Sequence, residues 1–443
     1  MSPFKQTLVC TAACALLAAC GGGTTGDAAQ HERAAAVSDA AVAVPDEIVV
    51  KLLDANALQP LLAEFGLTLL DQFGARPIYR LRAAPGSDTE ALAARLAADA
   101  RVQYAEPNLL HQTPEGRTRR VWAIGGDAGT YATQWNAQAL RLGEAHGIAT
   151  GSGVIVAVLD SGIDAAHPAL AGRVIGGFDF VDNDTDPSEQ GRDGDPGYGH
   201  GTHVASLVAQ VAPQARILPL RVLEPSGAGN IWVLAEALLH AVDPDGVPIT
   251  NDGAQVINLS LGTTRPTSLL ADIVDVVSCE GVEDDDDEDD EDENPVADED
   301  AARCAASGGA VVVSAAGNSG DETAHYPAAE QHEGALAVAA SSQGGALASF
   351  STRGSWVPVA APGDAIYGAI PGGRWAVWSG TSMAAPMVAG AAALLRSHFP
   401  QWPAREVANQ LRSQGRQLCA SNIRQIDPVK ALNGSSGPGF ACP

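Results

Sequence analysis

Val154-Ile155-Val156-Ala157-Val158-Leu159-Asp160-Ser161-Gly162-Ile163-Asp164 sets an unbroken apolar run directly before a carboxylate and a glycine turn. Without polar alternation, such a run reads as a strand buried on both faces. Val256-Ile257-Asn258-Leu259 and Val311-Val312-Val313-Ser314 repeat the pattern, with helical stretches at about 231–242 and after Ser382. Strand and helix in alternation predict an α/β fold, a parallel sheet with helices on both faces, over residues 131–443. Such sheets gather their sites beyond the carboxyl ends of the strands.

Upstream lies a second, smaller unit at 45–112. Strands at 48–52, 77–81 and 102–106 and helices at 58–65 and 88–96 give the order β-α-β-α-β, read as a small α+β ferredoxin-like domain. Residues 113–130, with Arg117, Arg119 and Arg120 beside Gly125, Gly126 and Gly129, read as an exposed linker open to proteolytic nicking. Residues 20–44 are small and aperiodic, a flexible tether.

The 443 residues are 46% apolar and 18% charged, a globular composition. The net charge of −27 excludes nucleic-acid binding through a basic surface. Residues 280–303 hold 15 Asp or Glu against one Arg, about half of that excess in one insert. After residue 20 no apolar run reaches the ~18 residues needed to span a bilayer. Lys5 and the apolar stretch 7–19 form an export signal over residues 1–19. Its end, Leu17-Ala18-Ala19-Cys20, resembles a bacterial lipobox, which implies lipid on Cys20 and sorting to the outer membrane; a plain secretory signal is the other reading. Beyond Cys20 four cysteines remain and allow three pairings. Sequence neighbours favour Cys279–Cys304 and Cys419–Cys442, and export makes disulfides the default.

Chemistry concentrates at the strand ends. Asp160 closes the apolar run, where a buried carboxylate needs a partner. His200 sits in Gly199-His200-Gly201-Thr202-His203, entering a helix at 204–211. Asn318 follows a strand in Ala316-Gly317-Asn318, where its amide can face a developing oxyanion. Ser382, in Gly380-Thr381-Ser382-Met383-Ala384-Ala385-Pro386, starts a small-residue helix whose positive end favours negative charge. Taken singly these are a turn residue, a structural histidine, an αL turn and an N-cap. Together, on one sheet, they point to nucleophilic catalysis.

The Asp160, His200 and Ser382 segments, in that order and with the Asn318 segment, resemble those of the subtilisin-like serine proteases. The resemblance covers about 300 residues, and the 45–112 unit, ending Tyr104-Ala105-Glu106-Pro107-Asn108, resembles the family's inhibitory propeptide. It implies Ser382 as nucleophile, His200 as general base, Asp160 as its orienting carboxylate and Asn318 in the oxyanion hole. It also implies that Ser260-Leu261-Gly262 pairs with an extended substrate and that His203 is structural. Met387 replaces a common His of the family and Thr263 a common Gly. No organic cofactor is required. The implied partners are polypeptide substrates and the chain's own propeptide, on a monomer anchored by lipid until the linker is cut between about Leu109 and Tyr131. Two rivals remain: a catalytically silent envelope-binding protein of the same fold, and a peptide ligase using the same acyl-enzyme. Asp182, Asp184 and Asp186 alternate in a way that suits structural calcium, with a solvated loop as the other reading. The unbroken carboxylates at 284–293 repel one another and read as a solvated loop.

Overall fold

The computed structural model describes residues 43–117, 123–247, 249–250, 252–280 and 295–442. The expectations for the signal, Cys20, the tether up to residue 42 and the carboxylate run 284–293 fall outside these residues; the last two residues given to the tether, Ala43 and Val44, open the first strand instead.

The amino-terminal part runs β1 (Ala43–Leu52), α1 (Leu58–Phe65), β2 (Thr68–Gln72), β3 (Ile78–Arg82), α2 (Thr89–Ala97) and β4 (Val102–Gln112). The strands lie in the order β2-β3-β1-β4, with every pair antiparallel. The sequence reading lacked β2, a half-exposed edge strand with no clean alternation; its presence completes the split βαβ pattern. Helix α1 stops at Gly66, whose φ of +67 is the left-handed cap that glycine adopts most easily. Helix α2 starts on Asp88, whose side chain accepts the Ala91 N–H. Along β1, Ile48, Val50 and Leu52 enter this part's own core, while Val49 turns the other way.

The larger part contains β5 (Ile155–Asp160), α3 (His200–Val211), β6 (Arg216–Arg221), β7 (Ala228–Asn230), α4 (Ile231–Val242), β8 (Val256–Leu259) and α5 (Ser268–Ser278). It continues through α6 (Pro295–Ser307), β9 (Val311–Ala315), β10 (Ala335–Ser341), β11 (Val359–Pro362) and α7 (Thr381–His398). Strands β11-β10-β9-β8-β5-β6 lie side by side and parallel. Both faces are covered. Val156 and Val158 pack in the core under α3 and α7, and Ala157 and Leu159 in the core under α4 and α5. That second core also takes in Val49, Phe73, Ile78 and Leu109, so the small domain's outer sheet face is buried against α4 and α5.

Disulfides join Cys279 to Cys304 and Cys419 to Cys442. The first links α5's end to helix α6, which begins at Pro295 and takes in the last residues of the acidic insert. There Asp300 pairs with Arg76 of the small domain at 2.7 Å.

Candidate active site

Asp160 is the last residue of β5 and is fully buried. Its Oδ1 accepts the Ser161 N–H at 2.8 Å and lies 2.7 Å from His200 Nδ1. His200 is the first residue of α3, so the end of β5 and the start of α3 meet at this bond. The imidazole stacks on Trp378 with centroids 5.5 Å apart, and His203, one turn on, stacks on the same indole at 4.9 Å. Burial and the neighbouring His200 charge pull His203 down to about 3, so it stays neutral and serves packing.

Ser382 lies in the first turn of α7. Pro386, four residues on, has no N–H to give the Ser382 carbonyl. Ser260 Oγ fills that gap, donating to Ser382 O at 3.0 Å, and Ser260 Oγ in turn accepts from Asn258 Nδ2. The edge 260–262 is thereby bonded directly to the turn that carries the serine.

Asn318 follows β9. Its Oδ1 accepts from Thr381 N at 2.9 Å and Thr381 Oγ1 at 3.1 Å, which leaves Nδ2 facing the cleft beside Ser382. Asp160, His200, Asn318 and Ser382 therefore converge at the carboxyl ends of β5 and β9 and the amino ends of α3 and α7.

The cleft is filled by the chain itself. The end of β4 runs antiparallel between two edges, with His111 opposite Gly229, Gln112 opposite Ala228, and Gln112 and Gly262 exchanging both backbone hydrogen bonds at 3.0 Å. Thr113 N donates to Gly227 O at 3.2 Å. A side chain at Gly229 would strike the Val222 carbonyl and the buried His111 ring, so glycine serves both the local turn and the entering strand. Glu115 then turns its carboxylate into the space between Ser382, His200 and Asn318. Oε2 accepts from Ser382 Oγ at 2.7 Å and lies 3.3 Å from His200 Nε2, while Oε1 accepts from Asn318 Nδ2 at 2.9 Å.

This differs from an exposed linker at 113–130: Thr113 is 1% exposed and the Glu115 side chain 17%. Electrostatics explains why. Burial opposes a charge on His200, but Asp160 and Glu115 outweigh it and hold the imidazole up to about 10. Burial likewise opposes a charge on Glu115, but His200, Ser382 and Asn318 hold its carboxyl below the ordinary range. An imidazolium locked between two carboxylates has no lone pair to take a proton from Ser382.

The calcium expectation meets a different arrangement. Asp182 is committed to Arg221 at 2.7 Å, Asp184 accepts the Asp186 N–H and Asp186 accepts from Ser188. Among the described residues these three carboxylates do not converge as a cation cage. A cation, Arg221, already sits between Asp179 and Asp182. Reading the sequence missed Glu115, one of two acids in the Arg- and Gly-rich linker; Thr381, hidden as a motif spacer; and Glu189, whose hydrogen bonds reach the Asp160 and His200 turns.

The pattern that defines the Subtilase family matches residues 151–424, and that of the fervidolysin N-terminal prodomain matches residues 29–108. The chain is 40% identical to thermitase of Thermoactinomyces vulgaris over 274 residues, 60% of this chain and 82% of thermitase. It is 36% identical to the thermophilic serine proteinase of Bacillus sp. strain AK1 over 307 residues, and spans 63% of that protein's length. The fold is similar to that in the crystal structure of fervidolysin from Fervidobacterium pennivorans, with a TM-score of 0.67 at 23% identity, over 89% of this chain and 61% of that one.

Proposed function

Because the chain belongs to the subtilase family, we propose that it is a serine endopeptidase made as an inactive precursor. The observation that carries this reading is the convergence of Ser382, His200 and Asn318 on one carboxylate, with Asp160 bonded to the far side of His200, in a cleft that already holds an extended strand. A substrate strand takes the place of β4's end between Gly262 and Ala228–Asn230, pairing by strand addition. Ser382 Oγ attacks the scissile carbonyl carbon as His200 Nε2 accepts its proton. Asp160 holds the imidazole by Nδ1 and stabilises the imidazolium. Asn318 Nδ2 and the Ser382 N–H receive the oxyanion. The imidazolium then gives its proton to the leaving amine, the C–N bond breaks, and water attacking with His200 as base releases the acid from Ser382.

In the precursor the signal occupies 1–19, the tether 20–44, the propeptide 45–112 and the linker 113–130, with the catalytic domain over 131–443. The chain is exported, Cys20 carries the lipid, and the cut falls in the linker. Because Thr113 to Glu115 are buried in the cleft, the accessible part of that linker lies downstream of Glu115. Lipid then stays with the propeptide and the catalytic domain leaves the membrane. No helix of the described residues is long and apolar enough to cross a membrane.

Intact mass and fluorophosphonate labelling of the expressed precursor, wild type beside Ser382→Ala, test this. Cleavage between Glu115 and Tyr131 and one label on the wild type, with neither on the variant, are expected. A folded wild type that stays uncut and unlabelled even after trace external protease overturns it in favour of a silent binding protein.

A further inference from the structure

The general base occupies an exposed position in energetic terms, though not in space. His200 is the first residue of α3, and the first turn of a helix is where N–H groups lack intrahelical acceptors and where fraying begins. A side-chain cap would normally hold that turn, but the N-cap is Gly199, at φ +86, which has none.

The missing cap comes from elsewhere in the chain. Glu189 Oε1 accepts from Gly199 N at 2.9 Å and from Ser161 Oγ at 2.5 Å. Its Oε2 accepts from Thr202 N at 3.1 Å and from Thr202 Oγ1 at 2.7 Å. Ser161 Oγ passes the connection on by accepting Gly201 N at 3.0 Å, and Thr202 Oγ1 accepts Asp164 N at 2.9 Å. With His200 N bonded to Gly197 O, every N–H from Gly199 to Thr202 has an acceptor. The three segments touch closely. A side chain at Gly201 would strike the Gly162 carbonyl, and one at Gly162 would strike Ser188 O and Glu189 Cα. Both turns that position the Asp160–His200 bond are therefore tied to one carboxylate. Burial raises that carboxyl to about 7 against the hydrogen bonds from Ser161 and Thr202, with the Asp160 charge adding to the rise.

We infer that Glu189 is a positioning residue of the triad: its carboxylate caps the first turn of α3, binds Ser161, and so fixes the His200 imidazole against Asp160. It touches neither the substrate strand nor Ser382 and acts through His200. The expected signature is a loss in turnover rather than in substrate binding, since the binding edges 260–262 and 228–230 are built independently of Glu189.

The inference rests on the reading of Asp160, His200 and Ser382 as the triad. Mature Glu189→Gln and Glu189→Ala enzymes are compared with wild type, with sites counted by fluorophosphonate uptake. Per labelled site, kcat falls at least tenfold in both while KM stays within twofold, and the deshielded proton between His200 Nδ1 and Asp160 broadens in the NMR spectrum. Thr202→Val, which removes one of the four donors, gives a smaller loss of three- to tenfold, and Thr202→Ser restores it. If Glu189→Ala does not fold, Glu189→Gln, of the same shape, carries the test. A Gln variant with kcat within twofold of wild type and an unchanged proton signal overturns the role, even if its melting temperature has dropped. A wild type that takes up no label removes the triad reading instead, so the two failures are distinct.

Discussion

At the scale of single residues, two side chains decide whether the centre is poised or blocked. Asn318 is held by Thr381 so that its amide nitrogen faces the cleft. Asn318→Ala in the mature enzyme is expected to lower kcat by about 10²–10³ with KM little changed, the usual size for one oxyanion donor; steady-state kinetics on a peptide substrate measures it. Glu115 works in the opposite sense. His200 is raised from an ordinary 6.5 to about 10, so its contribution to the blocked state is full below 6.5 and is lost as pH rises through 10. The Glu115 carboxyl is depressed, so its contribution is present above the ordinary carboxylate range and lost only as pH falls through the lowered value. The block is therefore tightest in mildly acidic solution and loosens with alkali. Glu115→Gln removes one of the two carboxylates facing His200. The rate of fluorophosphonate labelling of the precursor, followed against pH, should then rise with a midpoint at least one pH unit lower than in wild type. An unmoved midpoint would mean that the strand, not the carboxylate, does the blocking.

At the scale of elements, the α7 helix begins with a defect that is repaired from outside. Pro386 leaves the Ser382 carbonyl without its helical donor, and Ser260 Oγ supplies one. Ser260→Ala should cost about 1–3 kcal/mol, the range for an orphaned buried acceptor. Pro386→Ala restores an N–H at the same carbonyl, so the double variant should recover a large part of the loss. Chemical denaturation of the four proteins in the cycle measures the coupling, and strict additivity would refute it. These elements were legible in the sequence to unequal degrees. The runs at 154–159, 256–259 and 311–313 identified the parallel sheet because burial on both faces removes the polar alternation; the one polar residue among them, Asn258, is buried and bonded to Ser260. The residues at their ends were legible because each sits where a strand or helix terminates. Strand β2 was not, since an edge strand with mixed exposure carries no period. Glu115 and Glu189 were not either. Their partners are 267 and 28 residues away in sequence for the bonds to Ser382 and Ser161, and no local pattern encodes a tertiary contact.

For the whole molecule, the proposed cut in the linker leaves the small domain held on the large one by its contacts alone. The ion pairs Lys51–Asp272 and Arg265–Glu90 are partly exposed and contribute little, less still in salt. Buried contacts dominate. Phe73 meets the Trp232 indole edge-on at 5.4 Å, the Arg80 guanidinium lies over the same ring, and Val49 and Ile78 fill the shared core. Phe73→Ala should therefore shorten the lag before activity appears in the self-cut, still associated enzyme by at least tenfold, whereas Lys51→Ala changes it less than threefold, and only at low salt. Glu106 adds a pH dependence to the same lag. From β4 it accepts Ser268 N at 2.8 Å and Leu269 N at 3.1 Å, capping α5 across the interface. Burial pushes its carboxyl up to about 7, although those N–H groups pull it down. A carboxyl raised by docking holds its proton longer in the docked state, so docking gains from Glu106 fully below its ordinary 4.5 and loses that gain once pH passes about 7. Between those limits the wild-type lag should shorten steadily with rising pH. Glu106→Gln cannot ionise, so its lag should be nearly level over the same interval and differ from wild type chiefly near neutrality. Because the group is half-buried, added salt should reduce that difference less than it weakens a surface pair such as Lys51–Asp272. A Gln variant whose lag still falls with pH as steeply as wild type would assign the dependence to another group.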